Sequence, residues 1–350
     1  MDKVKVGIIG CGGIGNFHFS HLVEFDDVEM IGFCDLEIEK AEGFKARNRG
    51  GIGKTYVNFI DMLDDAKPDV VYVCVPPHAH GEIEYAIIER GLPFLVEKPM
   101  ALDIKLAEDI CAKAAEKNLI TAVGFQDRYL DLTERIKGYL EGKEVGLVTG
   151  AWVGGIPKVH WWRTMETSGG QIVEQNIHIY DMARYLFGEP ESVYCAAGKG
   201  IVKPEAPEYD VPGYNVDDYS SAVIKFKCGV VATIFTACYT VKGGGMQSGM
   251  NIYCKDATIE YKLRSGVRYR DAETVEEFAR QADQGVTEDR TFIDAIKSGD
   301  GSAIRSPYAD ALKSLKLCLA ANESIATGKE IKLLLNFYCP GIIYVPGYFK

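Results

Sequence analysis

The sequence predicts an α/β chain in two parts: a doubly wound parallel sheet at the amino end, then an α+β unit built on a large, mostly antiparallel open sheet. Three observations carry this. The first third alternates apolar runs of strand length with charged, helical stretches. A glycine-rich segment, Gly10-Cys11-Gly12-Gly13-Ile14-Gly15, joins the first apolar run to a helix. Beyond about Phe125 strand signals follow one another with few helices between them. At 350 residues the chain exceeds the usual single-domain size, and the change of pattern divides it into domains of residues 1–125 and 126–350.

Val4 to Ile9 reads as a buried parallel strand, and the glycines turn it into a helix starting near Ile14. Gly10 permits the tight turn, Gly12 lets a pyrophosphate approach bare backbone, and Gly15 lets the helix pack close to the strand. The helix amino end then faces the phosphates with unpaired N–H groups, in which Gly13 and Ile14 share. A second apolar run, Val28 to Cys34, ends at Asp35, about 20 residues beyond the last glycine, where a ribose-binding carboxylate belongs. Strand, glycines, helix, strand and acid in that order point to a dinucleotide site. Asp35 favours NAD over NADP, because a carboxylate accepts from a 2′-hydroxyl and repels a 2′-phosphate.

A helical stretch runs to about Arg49, and a short strand follows at Lys54 to Val57. The clearest strand, Asp69 to Val75, stops at Pro76-Pro77, and a helix is expected to start near His78 to His80. Phe94-Leu95-Val96 leads into Glu97-Lys98-Pro99, followed by a helix from about Asp103 to Lys117 and a strand at Ile120 to Gly124. In such a sheet ligands lie beyond the strand carboxyl ends, where Asp35, Pro76 and Lys98 all fall. Further on come a helix at Leu130 to Leu140, a strand at Val145 to Val153, and a helix after Asn176 ending at Gly188. Five strands are then expected between Ser192 and Leu263, two of them joined by a two-residue hairpin at Cys228-Gly229. Late helices lie near Glu288 to Lys297 and Pro307 to Thr327, the second expected to pack back on the first domain.

A net charge of −11 argues against nucleic acid or an anionic membrane as main partner. No stretch is long enough to span a bilayer, and the amino terminus lacks the apolar region of a secretory signal. Ten cysteines without a CxxC pair, several of them in strand cores, fit a reduced cytoplasmic protein.

Lys98 ends a strand beside the crevice, where an ammonium can bind a reacting oxygen; otherwise it is one more loop lysine. Glu174 and His178, and His178 and Asp181, share a face if one helix carries all three, so a carboxylate there orients an imidazole. The bland alternative is a structural histidine. A metal site is the weaker reading, because no second His stands at i+4 and no Cys pair supports one. His80 is placed near the cofactor, as is Glu97, while His78 reads as a helix-start residue. Trp162 and Arg163, with Trp161, either line a sugar face or fill the domain junction. Arg163 and Arg128 are expected to hold substrate hydroxyls or a carboxylate, and Asp181 is placed at the substrate with them.

The glycine segment, Glu97-Lys98-Pro99, and Gly169-Gly170 followed by His178-Ile179-Tyr180-Asp181 together resemble the glucose-fructose oxidoreductase, inositol dehydrogenase and MocA family over essentially the whole chain. The resemblance implies a Rossmann domain binding NAD(P), a second domain carrying the substrate and making subunit contacts through its sheet, and Lys98 and His178 as the pair at the carbinol oxygen. It implies oxidation of a secondary alcohol of a sugar, cyclitol or polyol to a ketone. Glu174 stands where the family commonly has aspartate, Asn176 where glycine is frequent, and Ser168 where a first glycine often is. Two other classes stay open: a hydrolase or lyase using tightly held NAD for transient oxidation, and a non-catalytic dinucleotide sensor. Apolar strands such as Val230 to Phe235 need cover, so a homodimer or homotetramer through the open sheet face is expected.

Overall fold

The computed structural model describes residues 3–240 and 248–333. Its first part runs β1 (Val4–Ile9), α1 (Gly13–Leu22), β2 (Val28–Cys34), α2 (Ile38–Arg47), β3 (Lys54–Tyr56), α3 (Phe59–Ala66), β4 (Val70–Val73), α4 (Glu82–Glu89), β5 (Phe94–Val96), α5 (Ile104–Glu116) and β6 (Thr121–Val123). The strands pair in the order β3-β2-β1-β4-β5-β6, every pair parallel. Order reverses between β1 and β4, which opens a crevice beyond their carboxyl ends. All four residues of β4 are buried, as a strand covered on both faces requires.

The second part runs α6 (Asp131–Leu140), β7 (Val145–Val153), α7 (Met165–Ser168), α8 (Gly170–Glu174), α9 (Ile177–Phe187), β8 (Pro190–Gly198), β9 (Tyr219–Phe226), β10 (Val231–Ala237), β11 (Gly249–Cys254), β12 (Thr258–Lys262), β13 (Gly266–Arg270), β14 (Val275–Ala279), α10 (Gln284–Ser298), α11 (Tyr308–Thr327) and β15 (Ile331–Lys332). Among the described residues nine strands pair as β14-β13-β12-β11-β7-β10-β9-β8-β15, antiparallel everywhere except β7 with β10. Helices α6, α8, α9 and α11 pack on this sheet. The other face keeps the alternation of a half-covered sheet: β9 reads exposed, buried, exposed throughout, and Leu147, Tyr194, Val223 and Tyr253 stand in the open.

One apolar core runs from Val71, Phe94 and Val96 of the first sheet, through Leu315 and Ile179, to Val148 and Ile224 of the second. The opposite face of the parallel sheet has its own core, in which Phe19, Phe33 and Tyr72 meet Phe292 and Ile293 of α10. Thus α10 packs against α1, and α11 touches both α5 and β8. Two details differ from the sequence reading. The β9–β10 turn has three residues, not two, because Phe226 bonds Val230 and Gly229 takes a φ of +96°. Strands β13 and β14 were not anticipated: Arg268, Arg270, Glu276 and Glu277 break the apolar signal at a solvated sheet edge.

Candidate active site

Gly10 turns the chain out of β1 with a φ of +94°. A Cβ there would lie 2.3 Å from the Cys74 carbonyl oxygen, and one on Gly15 would lie 2.1 Å from that of Gly10. Packing inside the protein therefore demands both glycines. Gly12 and Gly13 differ, since a Cβ on either would meet none of the described residues within 4 Å. Open space over bare backbone, at the start of a helix with no side-chain cap and no acid in its first turn, is a cradle for a pyrophosphate. Asp35 lies at the edge of this loop, its carboxylate accepting from the N–H groups of Cys11 (2.8 Å) and Glu37 (2.9 Å). Loop, helix end and acid fit a dinucleotide.

Across the crevice Lys98 reaches into the second part of the chain. Its Nζ donates to the Glu174 carbonyl (2.9 Å) and to Glu174 Oε1 (3.0 Å), and Trp162 Nε1 donates to the other carboxylate oxygen at 2.6 Å. Glu174 thus serves Lys98 and does not orient His178, contrary to the expectation from helical spacing. The reason is local: α8 ends at Glu174, and Gln175 and Asn176 interrupt the helix before α9 begins. His178 lies nearly buried between Trp152, stacked at 5.9 Å between ring centroids, and the edge of Phe125 at 6.3 Å. Its Nδ1 stands 3.6 Å from Asp127 Oδ2, and Asp127 is gripped by Arg264 Nε at 2.5 Å. Burial first, then the charges of Arg264 and Lys98, hold the His178 imidazole well below its ordinary range, so it is neutral at neutral pH.

Several residues expected at the substrate or cofactor are engaged elsewhere. Arg128, fully buried, donates to both oxygens of Asp181 (2.8 and 2.6 Å), to Asp310 and to the Arg305 carbonyl. Asp181 also accepts from Ser314 at 2.5 Å. Neither side chain is open to a substrate; together they lock the loop after β6 to α9 and α11, because a buried guanidinium must satisfy its donors internally. Trp162 is 1% exposed, packed with Val216 and Cys238, so it offers Glu174 a hydrogen bond rather than a sugar a face. His80 is buried against Glu84 at 2.7 Å, while His78 stays exposed beside the Thr167 carbonyl. Glu97 accepts from the backbone N–H of Lys98 and faces His18 at 3.0 Å. Pro76 caps the single turn that follows β4, and Arg163 is half-buried, its Nε without a hydrogen-bond partner among the described residues.

Asp127, Arg264 and Trp152 escaped the sequence reading. Asp127 follows the end of β6 by four residues, so the rule that ligands lie beyond strand ends would have flagged it. Arg264 had no signal, sitting 137 residues from Asp127 in a β12–β13 turn with a φ of +53°. Among the described residues no group of three or more His, Cys, Asp or Glu side chains is placed to hold a metal, and no helix is long and apolar enough to cross a membrane.

Residues 4–125 match the family described as "Oxidoreductase family, NAD-binding Rossmann fold", and residues 144–260 match the "GFO/IDH/MocA C-terminal domain". The chain is 25% identical to the myo-inositol 2-dehydrogenase of Thermotoga maritima, covering 94% of this chain and 98% of that one. It is 27% identical to the D-glucoside 3-dehydrogenase of Escherichia coli over 67% of this chain and 70% of the other. Among solved structures, levoglucosan dehydrogenase in complex with NADH and levoglucosan superimposes with a TM-score of 0.82 at 21% identity, over 95% of this chain and 100% of that one. An oxidoreductase from Agrobacterium radiobacter, solved with NAD+, L-tartaric acid and magnesium, gives 0.80 at 16% identity over 94% and 98%. A glycine cradle with its acid, and matches to both the Rossmann and the carboxyl-terminal family models, lead to one conclusion: this chain belongs to the GFO/IDH/MocA family of NAD-binding oxidoreductases.

Proposed function

We propose that the protein oxidises a secondary alcohol of a sugar, cyclitol or related polyol to the ketone, or runs the reverse reduction, with Lys98 and His178 acting at the carbinol oxygen. What supports this is Lys98, at the carboxyl end of β5 and held by Glu174, together with a buried His178 whose imidazole feels the Lys98 charge. NAD supplies the hydride acceptor. The chain's own residues do the rest: Lys98 holds the alcohol oxygen and stabilises charge developing on it, and His178 takes its proton. Glu174 fixes the Lys98 ammonium, with Trp162 fixing Glu174 in turn. Trp152 and Phe125 keep the imidazole dry and hold its plane.

The named relatives act on inositol and a glucoside, which supports the substrate class. In this reading residues 1–125 hold the cofactor, with Asp35 selecting NAD over NADP, and residues 126–350 supply the substrate side. The open sheet face, with Tyr194 and Val223 directly paired and both exposed, mates with a second copy to give a homodimer or a tetramer of dimers. A panel of sugars and cyclitols assayed with NAD by NADH absorbance tests the reaction. One or more should turn over with net NADH formation, and His178→Ala should abolish that turnover while NAD still binds. Redox-neutral bond cleavage without NADH, or no turnover on any polyol, would overturn it.

A further inference from the structure

The proposed reaction needs two things held at a fixed separation: a dinucleotide seated on the amino end of α1, and the Lys98 ammonium that meets the alcohol oxygen. One buried cluster, which the mechanism does not use, spans that separation. His18, on α1, is fully buried, with Nε2 3.0 Å from Glu97 Oε1 and Nδ1 2.7 Å from Asp289 Oδ1. Glu97 turns its other oxygen to the backbone N–H of Lys98, which donates to it at 3.1 Å. On the far side Asp289 Oδ2 meets His21 Nδ1 at 2.8 Å. Helix α10, helix α1 and the Lys98 backbone are thus joined by four hydrogen bonds in series.

The packing around this series leaves it no freedom. A Cβ on Gly124, just beyond β6, would lie 2.2 Å from Glu97 Oε1, so a glycine makes the room in which the carboxylate lies. The His18 ring is set between the edge of Phe17, at 5.3 Å between centroids, and Tyr72 at 5.2 Å. A carboxylate only accepts, so bonds to two of them require a proton on each ring nitrogen or on one of the acids. Burial opposes the imidazolium, but Asp289 and then Glu97 outweigh it and hold His18 well above its ordinary range. The ring therefore donates on both sides, and its two donors lie in one rigid plane.

We propose that His18 is a positioning residue for the reaction: by donating to Glu97 it fixes the backbone of Lys98 relative to α1, and so the place of the alcohol oxygen relative to the cofactor. This rests on the assignment of Lys98 to the carbinol oxygen. His18 acts through Glu97, and Asp289, with His21 behind it, holds the ring from α10. Lys98 is then fixed at both ends, its backbone by Glu97 and its ammonium by Glu174. A reacting atom misplaced by about 1 Å costs on the order of 100-fold in rate. A clamp serving stability alone would draw on both ring nitrogens equally, whereas positioning draws on Nε2. That difference separates the two roles.

The test compares His18→Gln with His18→Asn in the full-length protein, using the panel polyol of highest kcat/KM and the same polyol carrying deuterium at the carbinol carbon. Glutamine puts an N–H donor where Nε2 stood and keeps the bond to Glu97; asparagine puts one where Nδ1 stood and keeps only the bond to Asp289. Each leaves one buried carboxylate short of a donor, so Tm should fall alike in both. In His18→Asn kcat should drop by about 10- to 100-fold and the primary isotope effect on kcat should rise. KM, and NAD affinity by calorimetry, should stay within about threefold, and His18→Gln should keep kcat within about threefold of the parent. Should His18→Asn fail to fold, Glu97→Gln decides, since one carboxamide oxygen cannot serve both Lys98 and His18: kcat should fall with the same rise in isotope effect. Equal rate losses in His18→Gln and His18→Asn, or parent kcat and isotope effect in His18→Asn or Glu97→Gln, with Lys98→Met inactive, would overturn the positioning role alone. A fully active Lys98→Met would overturn the assignment of Lys98 and the role of His18 with it.

Discussion

Replacing Lys98 by Met removes a charge at the proposed reacting oxygen while keeping most of the side-chain volume. In the structure the ammonium makes two hydrogen bonds, both to Glu174, and each partner is 13% exposed. Such a pair lies between a surface ion pair and a buried one. Glu174 keeps its bond from Trp162 and some contact with water, so the expected loss of stability is about 1–2 kcal/mol. That is a small part of the roughly 5–15 kcal/mol that holds a domain folded. The glycine loop and Asp35 are untouched, so the NAD dissociation constant should stay within about twofold. Turnover should fall by about 100- to 10,000-fold, equivalent to roughly 2.7–5.5 kcal/mol of transition-state stabilisation. Calorimetry with NAD, thermal unfolding and NADH absorbance on the same preparation separate these quantities. Glu174→Gln, which keeps an acceptor for the ammonium, should lose less rate than Lys98→Met. A Lys98→Met protein that retains its rate within tenfold, or loses NAD binding in parallel with rate, would refute the assignment.

Three further outcomes follow from other parts of the molecule. Because His178 is held neutral, kcat/KM should persist at neutral pH and fall only below the ordinary histidine value of about 6.5; Arg264→Leu, which removes one cation and frees Asp127, should move that acid limb upward. The sign for stability is the same, since unfolded His178 takes its proton first as pH drops below about 6.5, so its contribution is retained above that value and lost beneath it. Asp35→Ala should narrow the preference for NAD over NADP in paired binding measurements, and a parent protein that binds NADP more tightly would sink the argument from the 2′-hydroxyl. Val223→Asp, placed on the exposed sheet face opposite Tyr194, should shift sedimentation from dimer or tetramer towards monomer, whereas a monomeric parent at micromolar concentration would remove the proposed interface.

What the sequence determined by itself was everything that local chemistry repeats: the βα alternation, the strand ends, the glycine turn with Asp35, and the helix limits at Asp103 and Gly188. Those features depend on patterns of period two or 3.6 and on residues with special backbone freedom, so a short window of chain holds the whole signal. Lys98 was legible for the same reason, as a residue at a strand end. Only the tertiary structure decided partners. Glu174 belongs to Lys98, 76 residues away, because the helix breaks before His178, and Asp181 belongs to Arg128. Asp127 meets Arg264 across 137 residues, and His18 meets Asp289 across 271. Buried charges must find opposite charges wherever the fold brings elements together, and that requirement leaves no periodic trace in the chain. The sequence therefore singled out Lys98 and His178 as candidates, while the fold chose which carboxylates lie beside them.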